Sequence, residues 1–133
     1  MSAAILVRAD GSVSLVAADK QGRIPLDRMR AAMDVRTVDV IAVDRVIDAW
    51  IDDEGLMVTE PEPNPAATYV IMRLAGRMLR QPIVGPVLFA GHDSEGYSIP
   101  LGDEQTNAIV EHLSHYAANI KVPVTAFFGE NLR

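Results

Sequence analysis

The dipeptide Asp10-Gly11 lies between two short runs of β-forming residues, 3–8 and 12–17. Asp-Gly in this setting is a strong signal for a tight β-hairpin, because the favoured two-residue turns need positive φ angles. In the second run Val13 and Leu15 alternate with serines, which predicts one packed face and one solvated face. We therefore expect two antiparallel strands here, and a fold that contains a β-sheet.

Three later segments have helical patterns. The first, 26–33, follows a proline, which is tolerated at the start of a helix because its missing N–H would be unpaired anyway. Asn64-Pro65 has the pattern of an N-cap and first residue of a second helix over 65–79, which Gly76 would weaken slightly. The third helix is predicted over 103–120, where four apolar residues share one face: Ile109, Leu113, Tyr116 and Ile120.

Further strands are predicted at four places: 37–43, 46–52, 84–90 and, as the return of a second hairpin, 97–99. The tail at 122–128 would form a last edge strand or dock as extended chain. Strands and helices in this order indicate a single α+β domain over residues 1–133. We expect a mixed or antiparallel sheet with about three helices.

The composition excludes several classes of protein. Of the 133 residues 49% are hydrophobic, enough to bury a core, and none is cysteine, so disulfides and thiolate metal sites are ruled out. No apolar run reaches the roughly 20 residues that cross a bilayer, and a basic leader pattern is missing, so we expect a cytoplasmic protein with no membrane partner. A net charge of −6 disfavours direct nucleic-acid binding.

The negative charge is concentrated in residues 39–62. This stretch has a formal charge of −7, which leaves +1 for the remainder of the chain. Such a surface would suit a partner protein with a basic surface, and electrostatic steering would speed their association. The alternative is an ordinary solvated sheet face and turn. Its single basic residue is Arg45, and its eight acidic residues are Asp39, Asp44, Asp48, Asp52, Asp53, Glu54, Glu60 and Glu62.

Within this stretch, a candidate protein-binding patch consists of Asp48, Trp50, Asp52, Asp53 and Glu54. The two-residue period of the predicted strand places the first three on one face. The opposite face would be the core face, with Ile47, Ala49 and Ile51. Aromatic residues are enriched as anchors in binding surfaces. The alternative is that a helix covers the tryptophan and makes it a core residue.

The sequence has no recognisable catalytic or cofactor motif, so we expect a non-enzymatic protein with no catalytic residues, metal ligands or cofactor. The acidic turn at 52–54 lacks the spacing of a calcium loop. His112 and His115 have a spacing at which they could share a metal, with His92 in a nearby loop, although surface histidines are the simpler interpretation. The run 92–94 has the residue types of a hydrolytic triad without its usual geometry.

Two other classes of function stay open. One is a small metal-dependent or hydrolytic enzyme that uses the three histidines and the acidic turn. The other is a structural homo-oligomer in which the edge strand at 122–128 pairs with a second copy. A stripe of Arg73, Arg77 and Arg80 is too narrow for nucleic-acid contact. We expect these arginines to pair with the protein's own acidic face or with a partner's.

The middle of the chain, about residues 20–100, has the order helix, strand, acidic glycine turn, Asn-led helix and glycine-bounded strand. The segments with this order are Leu26-Asp27-Arg28-Met29, 38–43, Ile51-Asp52-Asp53-Glu54-Gly55-Leu56, Asn64-Pro65-Ala66-Ala67-Thr68 and 83–91. In these segments the chain resembles the family known as domain of unknown function 3846. The longer helix at 69–81, with its arginines, and the helix and tail at 101–133 depart from the usual form.

That family occurs largely in phages, plasmids and actinobacteria, and it has no established activity. The resemblance therefore implies an accessory domain of a bacteriophage or other mobile element. Together with the clustered acidity, it predicts a protein that binds a host or phage protein, with an anti-defence or DNA-mimic role as one form of that function.

Overall fold

A computed structural model describes residues 2–57 and 60–119. Within these residues, six strands form an antiparallel sheet and three α-helices cover its faces, so the expected α+β class is confirmed. The sheet order is β2-β1-β5-β4-β3, with β6 paired to β5. In chain order the elements are β1 Ala4–Val7, β2 Val13–Val16, α1 Leu26–Met33, β3 Val38–Ala42, β4 Asp48–Asp52, α2 Pro65–Ala75, β5 Val87–His92, β6 Ser98–Ile99 and α3 Asp103–Asn119.

The N-terminal hairpin forms at the predicted place. Val7 lies opposite Val13, and Gly11 has the positive φ of 89° that its turn requires. The predicted packed face of β2 is nevertheless open: Val13 is 49% exposed and Leu15 is 62% exposed. The alternation itself is correct, since Leu15 lies opposite the buried Ile5. The difference arises because β2 is an edge strand, and the helices bury the sheet face beside it without burying these two side chains.

The sheet separates two apolar cores. On one face α2 and α3 pack against a cluster that includes Ile5, Ala49 and Phe89. On the other face α1 packs through Met29 and Met33 against alternate residues of the same strands. The predicted core face of β4 is confirmed, because Ile47, Ala49 and Ile51 all belong to the first cluster. The opposite face of β4 borders a second core.

Helix α2 is shorter than the predicted span of 65–79. It ends at Gly76, whose left-handed backbone (φ 69°) lets its N–H donate to the carbonyl of Met72 at 2.9 Å. Glycine adopts this conformation without a Cβ clash, so it terminates the helix instead of merely weakening it. As a result Met78, which lies within the predicted helical span, is exposed and follows the helix.

Helix α3 occupies the predicted span as far as the structure describes it. Ile109 is buried, while Leu113 and Tyr116 pack against the same core, as the shared helical face predicts. The second predicted hairpin also forms, between β5 and β6. Ile120 and the predicted tail strand at 122–128 lie outside the described residues.

Candidate functional site

The structure keeps Asp48, Trp50 and Asp52 on one face of β4, as predicted, but gives them different surroundings. The Asp48 carboxylate accepts a hydrogen bond from the His92 ring, with 2.9 Å between Oδ2 and Nδ1. The contact is also an ion pair when the imidazole is protonated. Trp50 is half-buried and packs against the core beneath α1, where its indole N–H is buried without a hydrogen-bond partner among the described residues. Trp50 therefore contributes largely to the core.

The acidic turn is held in place by internal contacts. The Asp52 side chain accepts from the backbone N–H of Glu54 at 2.9 Å. Glu54 forms a two-point ion pair with Arg36 and accepts from the Thr37 hydroxyl at 3.3 Å. The hydrogen bond from Arg36 is the main reason that the pKa of Glu54 lies below its usual value. Asp53 remains exposed.

Four carboxylates from separate segments meet around a depression of about 340 Å³ at one end of the sheet, referred to below as the acidic depression. They are Asp10 in the first hairpin, Asp34 after α1, Asp52 at the end of β4 and Glu62 before α2. Among the described residues that line it, Arg8 is the only basic one. Its other lining residues are small or apolar: Ala9, Met33, Val35, Gly85 and Pro86.

Local geometry fixes the carboxylate of Asp10 and the backbone of Asp34. The Asp10 side chain accepts from the backbone N–H of Ser12 at 2.8 Å, and this hydrogen bond lowers the pKa of Asp10. Asp34 caps the end of α1 in the left-handed region (φ 58°), and its N–H donates to the carbonyl of Arg30. Asparagine and aspartate tolerate this backbone conformation better than most residues.

The backbone of Glu62 is held beside Gly85, which the buried side chain of Asn64 also contacts. The Glu62 carbonyl accepts from Gly85 N–H at 2.8 Å. The Asn64 amide in turn donates to the carbonyls of Gly85 at 2.8 Å and Val7 at 2.9 Å. Its oxygen caps α2 by accepting from Ala67 N–H at 3.1 Å. The Asn-led segment that carries the family resemblance thus connects the start of α2 to β1 and to the segment before β5, beside the acidic depression.

Sequence reasoning found Asp52 and Glu62 but missed Asp10 and Asp34. These two lie outside residues 39–62, and they approach Asp52 only because strand order places β1 next to β5 and β4 next to β5. Both are acidic residues at the predicted end of an element. Without the order of the strands, this position at the end of an element does not show that Asp10 and Asp34 lie near Asp52.

The histidines do not converge on a metal. His92 lies on β5 and points to Asp48, whereas His112 and His115 lie on α3. Within residues 2–57 and 60–119, no group of three or more histidine, aspartate or glutamate side chains is arranged to hold a metal ion. Asp93, the neighbour of His92 in the sequence, instead accepts from the backbone N–H groups of Glu95 and Tyr97.

The three arginines of the basic stripe are exposed, and α2 carries only Arg73, because Arg77 and Arg80 follow its end. The ion pairs in the described part of the chain are Arg36–Glu54 and His92–Asp48. The expected pairing of the stripe with the protein's own acidic face is therefore not found there.

No helix in the described part of the chain is long and apolar enough to cross a membrane. No curated protein and no solved structure matches the chain. The model of the family called domain of unknown function (DUF3846) matches residues 1–114, which extends beyond the segments that carry the resemblance and takes in β1, β2 and most of α3. The chain therefore belongs to the DUF3846 family.

Proposed function

We propose that this chain is a non-enzymatic interaction domain that binds a basic surface of a partner protein through the acidic depression. The observation that carries the proposal is the convergence of Asp10, Asp34, Asp52 and Glu62, from four segments, around one concave site. Of the lining residues that the structure describes, only Arg8 offsets their charge. A lysine or arginine side chain from a partner would relieve the repulsion among them.

The shape of the depression suits such a side chain. Val35 and Pro86, which are partly exposed, provide apolar surface for the aliphatic stem of a lysine or arginine, and the four acidic residues of the lining provide partners for the charged group. Electrostatic attraction would also raise the association rate, since a cleft lined by one sign of charge concentrates oppositely charged partners. Asp53, exposed at the nearby turn, extends the negative surface.

The family resemblance extends this proposal to a biological setting. A domain of a bacteriophage or mobile element that presents clustered carboxylates would compete with DNA for the basic groove of a host or phage protein. Such a DNA mimic would act in the host cytoplasm and against nucleic-acid-binding proteins, including those of defence systems.

The test is a comparison of proteins captured from a bacterial host lysate by three forms of the chain. In the first variant, Asp10→Asn, Asp34→Asn, Asp52→Asn and Glu62→Gln neutralise the acidic depression while preserving side-chain shape. The control variant neutralises four exposed carboxylates elsewhere, through Glu95→Gln, Asp103→Asn, Glu104→Gln and Glu111→Gln. Both variants have the same net charge.

A partner that uses the acidic depression is captured by the wild-type chain and the control, and lost from the first variant. Equal capture by all three forms would refute the proposal. Equal loss from both variants would show that total charge, and not the depression, governs binding.

A second candidate function is hydrolysis, favoured by one arrangement. His92 contacts Asp48 through Nδ1, and Ser98 lies directly opposite His92 on β6, so the three residue types of a hydrolytic triad follow one another across neighbouring strands. No hydrogen bond joins Ser98 to His92. Ester hydrolysis by the wild type that is abolished by Ser98→Ala and by His92→Gln would support this candidate. Equal hydrolysis rates for the wild type and both variants would refute it.

A further inference from the structure

A second depression, called the arginine pocket below, lies beside the C-terminal half of α2. Its volume is about 540 Å³, which is within the range typical of small-molecule sites. Two arginines line it, and among the described residues no acidic side chain does. It shares no lining residue with the acidic depression. The lining residues are Tyr69, Met72, Arg73, Gly76, Arg77 and Met78.

Helical spacing and the end of α2 together assemble this pocket. Tyr69 is three residues before Met72 and four before Arg73, so the three side chains share one face of the helix. Tyr69 and Met72 are buried, and the Tyr69 ring packs against Tyr116 of α3 with 5.5 Å between ring centroids. After the helix ends, Met78 adds apolar surface that is 50% exposed. The pocket therefore combines a rigid inner part with accessible apolar surface.

The positive charge of the pocket is not neutralised by the described residues. Arg73 and Arg77 are exposed, and neither forms an ion pair in the described part of the chain. The pKa of His112 on α3 is lowered by burial and then by the charge of Arg73, while Glu111 acts in the opposite sense. The field of Arg73 thus reaches the neighbouring helix. The negative end of the α2 dipole amounts to about half a unit charge, which two guanidinium groups outweigh.

We propose that the arginine pocket binds a small organic anion that has an apolar body and one phosphate or carboxylate group. Arg73 and Arg77 bind the anionic group through charge-assisted hydrogen bonds, and Met78 contacts the apolar body. Both parts of the ligand are required, because exposed ion pairs in water contribute little alone and the pocket wall is largely apolar. This site is independent of the proposed binding of a basic partner at the acidic depression.

Three probes separate the two parts of the ligand in titration calorimetry of the full chain at pH 7. They are 1-naphthyl phosphate, 1-naphthol, which lacks the charge, and inorganic phosphate, which lacks the apolar body. We expect 1-naphthyl phosphate to bind at least ~10-fold more tightly than either of the others. Equal affinity for inorganic phosphate or for 1-naphthol would overturn the proposal. So would a lack of binding of 1-naphthyl phosphate at about 1 mM.

Matched variants locate the binding. Arg73→Gln with Arg77→Gln should weaken binding of 1-naphthyl phosphate at least ~10-fold, whereas Arg28→Gln with Arg45→Gln should change it less than ~2-fold. Arg28 and Arg45 are exposed and line no part of the pocket, and the two variants have the same net charge. Equal weakening would overturn the proposal. Met78→Ser, at an exposed position, should weaken binding of 1-naphthyl phosphate and leave that of inorganic phosphate unchanged, and equal effects on both would contradict the apolar contact.

Other occupants of the arginine pocket give different results in the same proteins. A short acidic peptide with one phenylalanine that binds more tightly than 1-naphthyl phosphate would assign the pocket to a partner protein. Dimers of the wild type in light scattering that are lost from the variant with Arg73→Gln and Arg77→Gln would assign it to a second copy of the chain. Either result would overturn the proposal of a small organic anion.

Discussion

The side-chain amide of Asn64 donates a hydrogen bond to the carbonyl of Val7 at 2.9 Å, which joins the start of α2 to strand β1 across 57 residues of sequence. The same nitrogen donates to the carbonyl of Gly85, ahead of β5. Asn64 is fully buried, so each of these contacts replaces hydration that the groups have lost. A single side chain thus connects three segments that border the acidic depression.

Asn64→Ala is expected to lower the free energy of unfolding by about 2–4 kcal/mol. The change removes a helix N-cap, worth about 1 kcal/mol, and it leaves two buried carbonyls with fewer partners. Chemical denaturation at neutral pH measures the effect. The control is Asn107→Ala on the exposed side of α3, for which we expect a change within about 0.5 kcal/mol.

Asn64→Asp separates the two roles of this side chain. A carboxylate still caps α2 but cannot donate to the carbonyls of Val7 and Gly85, so we expect a loss at least as large at pH 7. Burial beside carbonyls raises the pKa of such an acid, so the folded state takes up a proton more readily than the unfolded state. The variant should therefore gain stability relative to wild type as the pH falls towards 5, and a constant difference would contradict this account.

Thr68 makes two further hydrogen bonds beside Asn64. We expect its hydroxyl to contribute more to the free energy of unfolding than its methyl group. The hydroxyl donates to the carbonyl of Asn64 at 2.7 Å and accepts from the N–H of Ile83 at 2.9 Å. Thr68→Val keeps the shape but strands a backbone N–H, and should cost about 1–3 kcal/mol. Thr68→Ser keeps both hydrogen bonds and should cost about 1 kcal/mol or less. A larger loss of unfolding free energy for Thr68→Ser than for Thr68→Val would contradict this role of the hydroxyl.

We expect the titration of His112 to lower the free energy of unfolding as the pH falls. Burial lowers its pKa below 6.5, helped by Arg73 and His115 and opposed by Glu111. Because the unfolded state then binds the proton more tightly, this contribution is complete above about pH 6.5 and is lost as the pH falls through the folded pKa. His112→Gln should flatten the stability profile between about pH 7 and 5. An imidazole pKa at or above 6.5 by NMR, with an unchanged profile, would contradict the prediction.

Local signals were enough to predict most elements of the fold. Asp10-Gly11 predicted the hairpin, Asn64 with Pro65 predicted the start of α2, and the apolar spacing of α3 predicted its buried face. Gly76 was interpreted as a weak point in a helix, whereas it is the residue that ends it. Propensity treats glycine as a cost inside a helix, and only the observed backbone conformation shows that it acts as a C-cap.

The candidate site was harder to predict, because it depends on contacts distant in sequence. The phase of β4 correctly placed Asp48, Trp50 and Asp52 on one face, but it could not decide whether the tryptophan is a surface anchor or is covered by a helix. The structure supports the second alternative, because α1 packs over that face and half-buries Trp50. Likewise Asp10 and Asp34 reach the acidic depression only through the order of the strands. A charge count along the sequence finds the acidic stretch and misses the side chains that join it from elsewhere.

The most direct test of the central claim is the affinity of the full chain for a synthetic arginine-rich peptide, measured by titration calorimetry at two salt concentrations. We expect the variant with Asp10→Asn, Asp34→Asn, Asp52→Asn and Glu62→Gln to bind at least ~10-fold more weakly than wild type at low salt, and to lose most of the salt dependence. The control with four neutralised carboxylates elsewhere should bind nearly as wild type does. Equal weakening of the two variants would contradict a binding site at the acidic depression.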